Sequence, residues 1–174
     1  MACASCGKNK KGNGYITPKA LDSPPMGATD IQVYENGSIR KFISEDWINN
    51  RHKLIIFFPE IFTPVCQSEL GALPKWIESF NEQNTDVFAC STDPIMGLQD
   101  WYETEEALSD VNYRVLSSYI LPTRLGVMNN GRAKRASVFI SKDGDVVIQE
   151  YPLKVGRSLS EIHRMIFAYN TDSF

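Results

Sequence analysis

Five consecutive apolar residues, Leu54-Ile55-Ile56-Phe57-Phe58, stop at Pro59, and Cys66 follows after a short interval. A strand's side chains alternate between two sides, so a short run with nothing polar on either side suits a strand buried on both faces. From Val65 onward the apolar residues Leu70, Leu73, Ile77 and Phe80 recur at helical spacing. The spacing predicts a helix that starts about where Cys66 lies and is kinked by Pro74. A doubly buried strand that runs through a short loop into a helix needs cover on both sides, which points to an α/β sandwich.

The flanking sequence keeps that alternation. Ile31 and Val33 alternate with polar neighbours, Asn36-Gly37 supplies a tight turn and Ile39 to Ile43 returns, which predicts an N-terminal β-hairpin. Val87 to Ser91 reads as a second buried strand, and Asp93-Pro94 starts a helix with Ile95, Leu98 and Tyr102 on one face. Tyr113 to Leu116 is a short strand and Ser118 to Gly126 a short helix interrupted by Pro122. Ala136 to Ser141 and Val146 to Tyr151 form a hairpin across Lys142-Asp143-Gly144. Ser158 and Glu161 then cap a last helix carrying Ile162, Met165, Ile166 and Tyr169. The expected architecture is a mixed central sheet with helices on both faces. Residues 1–28, rich in Gly, Lys, Asn and Pro, hold too few apolar positions for a packed face and are expected to form a flexible arm before one domain over 29–174.

Composition narrows the functional classes. A net charge of −3 with 22% charged residues supplies no basic face to track phosphates, so no nucleic-acid partner is expected. No apolar stretch has the length of a membrane span, and no leader-like apolar segment follows the first lysines, so a cytoplasmic, membrane-free protein is expected. No glycine-rich loop opens a helix after a strand, and His52 and His163 are isolated from any cysteine or acidic cluster, so neither a cofactor nor a metal is expected. The single pair Cys3-Ala4-Ser5-Cys6 is a weak zinc signal, because a structural zinc needs four ligands.

Of the four cysteines, at 3, 6, 66 and 90, Cys66 has the setting that produces reactivity. The first turn of a helix presents unpaired N–H groups and the positive end of the dipole, which favour a thiolate. A cysteine after an apolar strand is also often plain core, and position alone leaves the two readings level. The string Pro59-Glu60-Ile61-Phe62-Thr63-Pro64-Val65-Cys66 adds the spacing Pro-x-x-x-Thr-x-x-Cys at a strand-to-helix junction.

That string, within FFPEIFTPVCQSEL from Phe57 to Leu70, resembles the active-site signature of the peroxiredoxins, the thiol peroxidases of AhpC/TSA type, and the order of elements resembles that family over nearly the whole predicted domain. The resemblance implies a thioredoxin-like fold and reduction of hydrogen peroxide or organic hydroperoxides through a sulfenic acid on Cys66. It makes Thr63 the hydroxyl that hydrogen-bonds the peroxide, Pro59 the shield of the pocket and Arg135 the guanidinium that holds thiolate and peroxide, with Arg132 and Lys134 leaving that register open by a few residues. Glu69 would orient Arg135, and Arg157 would join the same network. The implied partners are a hydroperoxide, a thiol reductant such as a thioredoxin-like protein, and a second copy in a homodimer or a larger ring, with the Val146 to Tyr151 strand as the sheet edge available for pairing.

The chain departs from the typical two-Cys pattern: no cysteine follows the last predicted helix, and Gln67-Ser68 replaces the usual Pro-Thr. Cys90, inside a buried strand, is expected to be core; the arm carrying Cys3 and Cys6 is expected to be an inert tail, the alternative being that either thiol meets Cys66 of its own or a neighbouring subunit. A thioredoxin-type oxidoreductase would need a second cysteine at position 69, which is Glu. A non-catalytic oligomeric or chaperone-like protein on this fold is the alternative, and the joint presence of Pro59, Thr63, Cys66 and Arg135 speaks against it.

Overall fold

A computed structural model gives the fold and describes residues 31–171. The expected arm 1–28, with Cys3 and Cys6, and the residues beyond 171 lie outside the described residues. The hairpin forms from β1 (Gln32–Glu35) and β2 (Ser38–Lys41), turned by Asn36 and Gly37 at φ 52° and 75°. Both turn positions are left-handed, the combination for which Asn-Gly is the favoured pair.

The apolar run becomes β3 (His52–Phe57), buried along its whole length. After the loop come α1 (Pro64–Ala72) and α2 (Pro74–Glu82). Leu73 between them keeps helical angles, so Pro74 interrupts one path. Because Pro74 has no N–H, the Leu70 carbonyl takes the Leu73 N–H at 3.3 Å and the Tyr113 hydroxyl at 2.9 Å instead. β4 (Thr85–Ser91), α3 (Ile95–Thr104) and β5 (Arg114–Ser117) follow as the sequence predicts, whereas α4 (Ile120–Arg124) is shorter than expected and runs unbroken through Pro122, which stands in its first turn where the missing N–H costs nothing. An unexpected small hairpin, β6 (Met128–Asn129) and β7 (Arg132–Ala133), precedes β8 (Ala136–Ile140), β9 (Val146–Glu150) and α5 (Leu159–Asn170). Ser158 caps α5 by accepting the Glu161 N–H at 3.3 Å.

Seven strands make one mixed sheet in the order β2-β1-β5-β4-β3-β8-β9. β3, β4 and β5 run parallel, and β8 lies antiparallel to β3 with Phe57 opposite Ala136. Cover is uneven between the faces. Leu54, Ile56 and Phe58 pack under α1, α2, α3 and α5, whereas Ile55 and Phe57 meet α4, Trp47 and loop residues. The heavy layer lies on the face that holds Cys66, and Cys90 faces the opposite core. Among the described residues no helix is long and apolar enough to cross a membrane.

Candidate active site

The loop leaving β3 turns sharply at Phe62, whose φ of 57° is rare for a bulky side chain. Asp93, at the end of the parallel neighbour β4, holds that loop by accepting the Ile61 N–H at 3.2 Å, and is itself held by the Ser91 hydroxyl at 2.6 Å. Thr63 stands at the start of α1 in extended conformation and Pro64 occupies the first turn, where its missing N–H costs nothing. Cys66 therefore sits in the first turn, fully buried, as its position in the sequence predicts.

Four ionisable side chains converge there from distant parts of the chain. Arg135, just before β8, donates through Nη2 to Cys66 Sγ at 3.3 Å, through Nη1 to Glu69 Oε2, and through Nε to the Leu153 carbonyl at 3.1 Å. Glu69, one turn along α1 from Cys66, also accepts the backbone N–H of Arg157 at 2.7 Å and its Nε at 3.2 Å. Arg157 donates its remaining nitrogens to the carbonyls of Phe57 and Ala136 and to the Ser137 hydroxyl, at 2.5, 2.8 and 3.1 Å, which ties the end of β3 to β8 where those strands pair. Burial pulls the Arg157 guanidinium below its ordinary value, and the adjoining Glu69 opposes that. Glu69, Arg135 and Arg157 are all less than a tenth exposed. Two buried guanidiniums against one carboxylate leave one positive charge unmatched, and an ionised Cys66 sulfur is the group that would balance it.

The neighbouring cations separate cleanly. Arg132 pairs with Glu60 at 2.6 Å and Lys134 with Glu150 at 2.9 Å, both at partly exposed positions, so Arg135 alone of the three reaches Cys66. Pro59, Thr63 and Arg135 line a cleft of about 610 Å³ that is bordered by the β6–β7 hairpin and by Tyr151, Pro152 and Leu153. The Thr63 hydroxyl donates to the Glu60 carbonyl at 3.1 Å, so its proton is committed to the loop and its lone pairs are what it can offer a ligand.

Sequence reasoning missed several contributors. Tyr151 places its ring 5.6 Å from the Arg157 guanidinium and donates its N–H to the Arg135 carbonyl at 2.8 Å. The β6–β7 hairpin brings Arg132 to Glu60, and the signal for it was present: Asn130-Gly131 repeats the Asn-Gly turn and takes φ of 49° and 76°. Cys90 is fully buried, and burial pushes its thiol up, in keeping with a core role. His52 accepts the Lys142 N–H at 3.0 Å and His163 meets Gln83 Nε2 at 2.7 Å, so both are satisfied. Among the described residues no cluster of His, Cys, Asp and Glu could hold a metal ion.

The model of the AhpC/TSA family matches residues 27–149, most of the chain and all of the Cys66 loop. The chain belongs to this family. Among relatives in the AhpC/TSA family and its structural neighbours, it is 29% identical over 135 residues to the 1-Cys peroxiredoxin PER1 of Arabidopsis thaliana, covering 72% of this chain and 62% of that protein. It is also 29% identical over 168 residues to the chloroplastic 2-Cys peroxiredoxin BAS1 of Spinacia oleracea, covering 88% and 62%. The crystal structure of Enterococcus faecalis AhpC superposes with a TM-score of 0.76 at 25% identity, covering 82% of this chain and 87% of that one, in agreement with the thioredoxin-like fold. The chain thus spans about three fifths of the length of these two curated AhpC/TSA-type relatives.

Proposed function

We propose that the chain is a thiol-dependent peroxidase that reduces hydrogen peroxide or organic hydroperoxides at Cys66. The observation that carries this reading is the Arg135 guanidinium 3.3 Å from a buried sulfur, within a group of charges that an ionised sulfur would neutralise. The sulfur attacks the peroxide oxygen farther from the organic group, the O–O bond breaks, and charge builds on the departing oxygen, which takes up a proton and leaves as water or alcohol. Cys66 is left as a sulfenic acid. Arg135, already fixed by Glu69 and Leu153, meets that developing charge without reorganising, which is where a fixed donor lowers the barrier most. Thr63, its proton committed to Glu60, accepts from the hydroperoxide O–H, and Pro59 walls the approach. Arg157 and Glu69 act as positioning residues.

Substrate breadth is supported by the cleft, whose volume of about 610 Å³ exceeds what hydrogen peroxide needs. A thiol reductant of thioredoxin type would return Cys66 to its starting state. The free thiols Cys66 and Cys90 suit a reducing compartment such as the cytoplasm. Among the described residues β9 is the last strand of the sheet, and an edge ladder of this kind can pair with a second copy, which supports a homodimer and allows a ring. Mixing reduced protein with hydrogen peroxide and a dimedone probe tests the reading: rapid labelling of Cys66, absent in Cys66→Ser, is expected. Labelling no faster than that of a small free thiol would refute it.

A further inference from the structure

Three stretches of chain wall the cleft beside Cys66, and they are not held alike. The Cys66 loop is anchored from the end of β4, where Asp93 accepts the Ile61 N–H at 3.2 Å. The run after β9 is fastened to Arg135, whose Nε donates to the Leu153 carbonyl at 3.1 Å and whose carbonyl accepts the Tyr151 N–H at 2.8 Å. The β6–β7 hairpin has two residues in each strand and belongs to a separate sheet. Two paired strands of that length have little stability of their own, so the hairpin keeps its place through what it touches.

Those contacts weaken from base to tip. At the base, Val127 and Ala133 are buried in the second core, and the Val127 carbonyl accepts the Lys134 N–H at 2.7 Å. At the tip, Asn129, Asn130, Gly131 and Arg132 are exposed. There the Gly131 carbonyl accepts the Thr92 hydroxyl at 3.4 Å, a long hydrogen bond, and Arg132 Nη1 meets Glu60 Oε2 at 2.6 Å. Glu60 belongs to the Cys66 loop, and both it and Arg132 line the cleft. The ion pair therefore bridges two walls of the space that Thr63 and Arg135 also line. Its strength sets what it can do. Arg132 and Glu60 are 57% and 43% exposed, and a pair in that setting favours the joined state by no more than about fivefold. Such a tie is too weak to seal the cleft and strong enough to bias it.

We propose that the Arg132–Glu60 pair is a size-selecting latch on the cleft. The proposal rests on the peroxidase reading and gives it a substrate preference. With the pair joined, hydrogen peroxide reaches Cys66, while a hydroperoxide bearing a bulky apolar group meets a narrowed cleft. With the pair broken, the hairpin tip moves off the Cys66 loop, and the apolar group settles against Pro59, Pro64, Val65 and Leu153, which line the same cleft. A substrate that reacts only with the open state is slowed by the fraction of molecules that are closed, so the latch discriminates against bulk.

The test measures, by stopped flow on the reduced full chain, the second-order reactions with hydrogen peroxide and with cumene hydroperoxide. The quantity read is the ratio of the cumene hydroperoxide rate to the hydrogen peroxide rate. Arg132→Gln and Glu60→Gln are each expected to raise that ratio about two- to fivefold. The double variant should match the single ones, because a pair already broken has nothing further to lose. In wild type, salt at about 1 M should raise the ratio towards that of the variants, by screening the exposed pair. A purely structural role would slow both peroxides together and leave the ratio where it was. A ratio that stays or falls in either single variant, gains that multiply in the double variant, or a wild-type ratio indifferent to salt overturns the latch while the peroxidase reading stands. A wild-type protein that reacts with neither peroxide overturns the peroxidase reading and the latch with it.

Discussion

Arg135→Ala removes the guanidinium that, among the described residues, donates to Cys66, and its cost divides into two separately measurable parts. The first is catalytic. A hydrogen bond to a charged group contributes about 1.5–3 kcal/mol, and each 1.36 kcal/mol is tenfold in rate. If the Nη2 contact at 3.3 Å acts mainly when charge develops on the reacting atoms, the second-order reaction with hydrogen peroxide should slow by about 10- to 150-fold. The second part is structural. Glu69 loses one of its two guanidinium partners but keeps the Arg157 N–H and Nε, so the loss of stability should fall near the lower end of the range for broken buried pairs, about 3 kcal/mol. Stopped-flow fluorescence of the reduced protein gives the rate, and urea unfolding gives the stability at the same temperature. A folded Arg135→Ala protein that reacts within about threefold of wild type would refute the reasoning, because a loss so small is below the least that a charged contact contributes.

Three further outcomes follow from the geometry. Gly71→Ala would place a Cβ 2.6 Å from the Ala107 carbonyl, a backbone atom that cannot step aside, so overpacking should cost about 1–3 kcal/mol and lower the thermal midpoint by several degrees in calorimetry. Cys90→Ser puts a hydroxyl into the second core at a cost of about 1–3 kcal/mol in urea unfolding, while dimedone labelling of Cys66 should proceed as in wild type. Burial alone would raise the Asp46 carboxyl, but Arg40 at 2.6 and 2.8 Å and the Ile43 N–H at 2.9 Å hold it below its ordinary value. A carboxyl lowered on folding adds stability that is present above the unfolded-state value near 3.8 and is lost as pH falls through the folded value, so acid-titrated urea curves should be flatter in Asp46→Asn.

What could be read beforehand was whatever local chemistry decides alone. The two-sided apolar run gave β3, Asn36-Gly37 gave its hairpin, and the junction put Cys66 in the first turn of α1. Uneven cover was not legible, because α4 has only five residues and the second face is closed largely by loop side chains with no periodicity to detect. Nor was the choice among Arg132, Lys134 and Arg135 open to spacing arguments. It depends on the reach of Glu60 and Glu150, which take the first two cations at the surface. Tyr151 and the Leu153 carbonyl contribute through contacts that only the closed sheet creates.

The two buried arginines carry the same charge, yet their partners assign them different work. All three nitrogens of Arg157 are spent on Glu69 and on acceptors in and beside β3 and β8, leaving its head directed at the frame. Arg135 spends Nε and Nη1 the same way but turns Nη2 to the sulfur. A lysine at either place keeps the charge and loses the planar fork, since one ammonium cannot serve acceptors that lie on different sides. Arg157→Lys should therefore lower stability in urea by about 2–4 kcal/mol, with a smaller fractional loss of peroxide rate. Arg135→Lys should do the reverse, because an ammonium anchored on Glu69 no longer reaches Cys66. If both substitutions reduced rate and stability in the same proportion, the division between positioning arginine and reacting arginine would be wrong, and Cys66, Glu69, Arg135 and Arg157 would have to be treated as one indivisible unit.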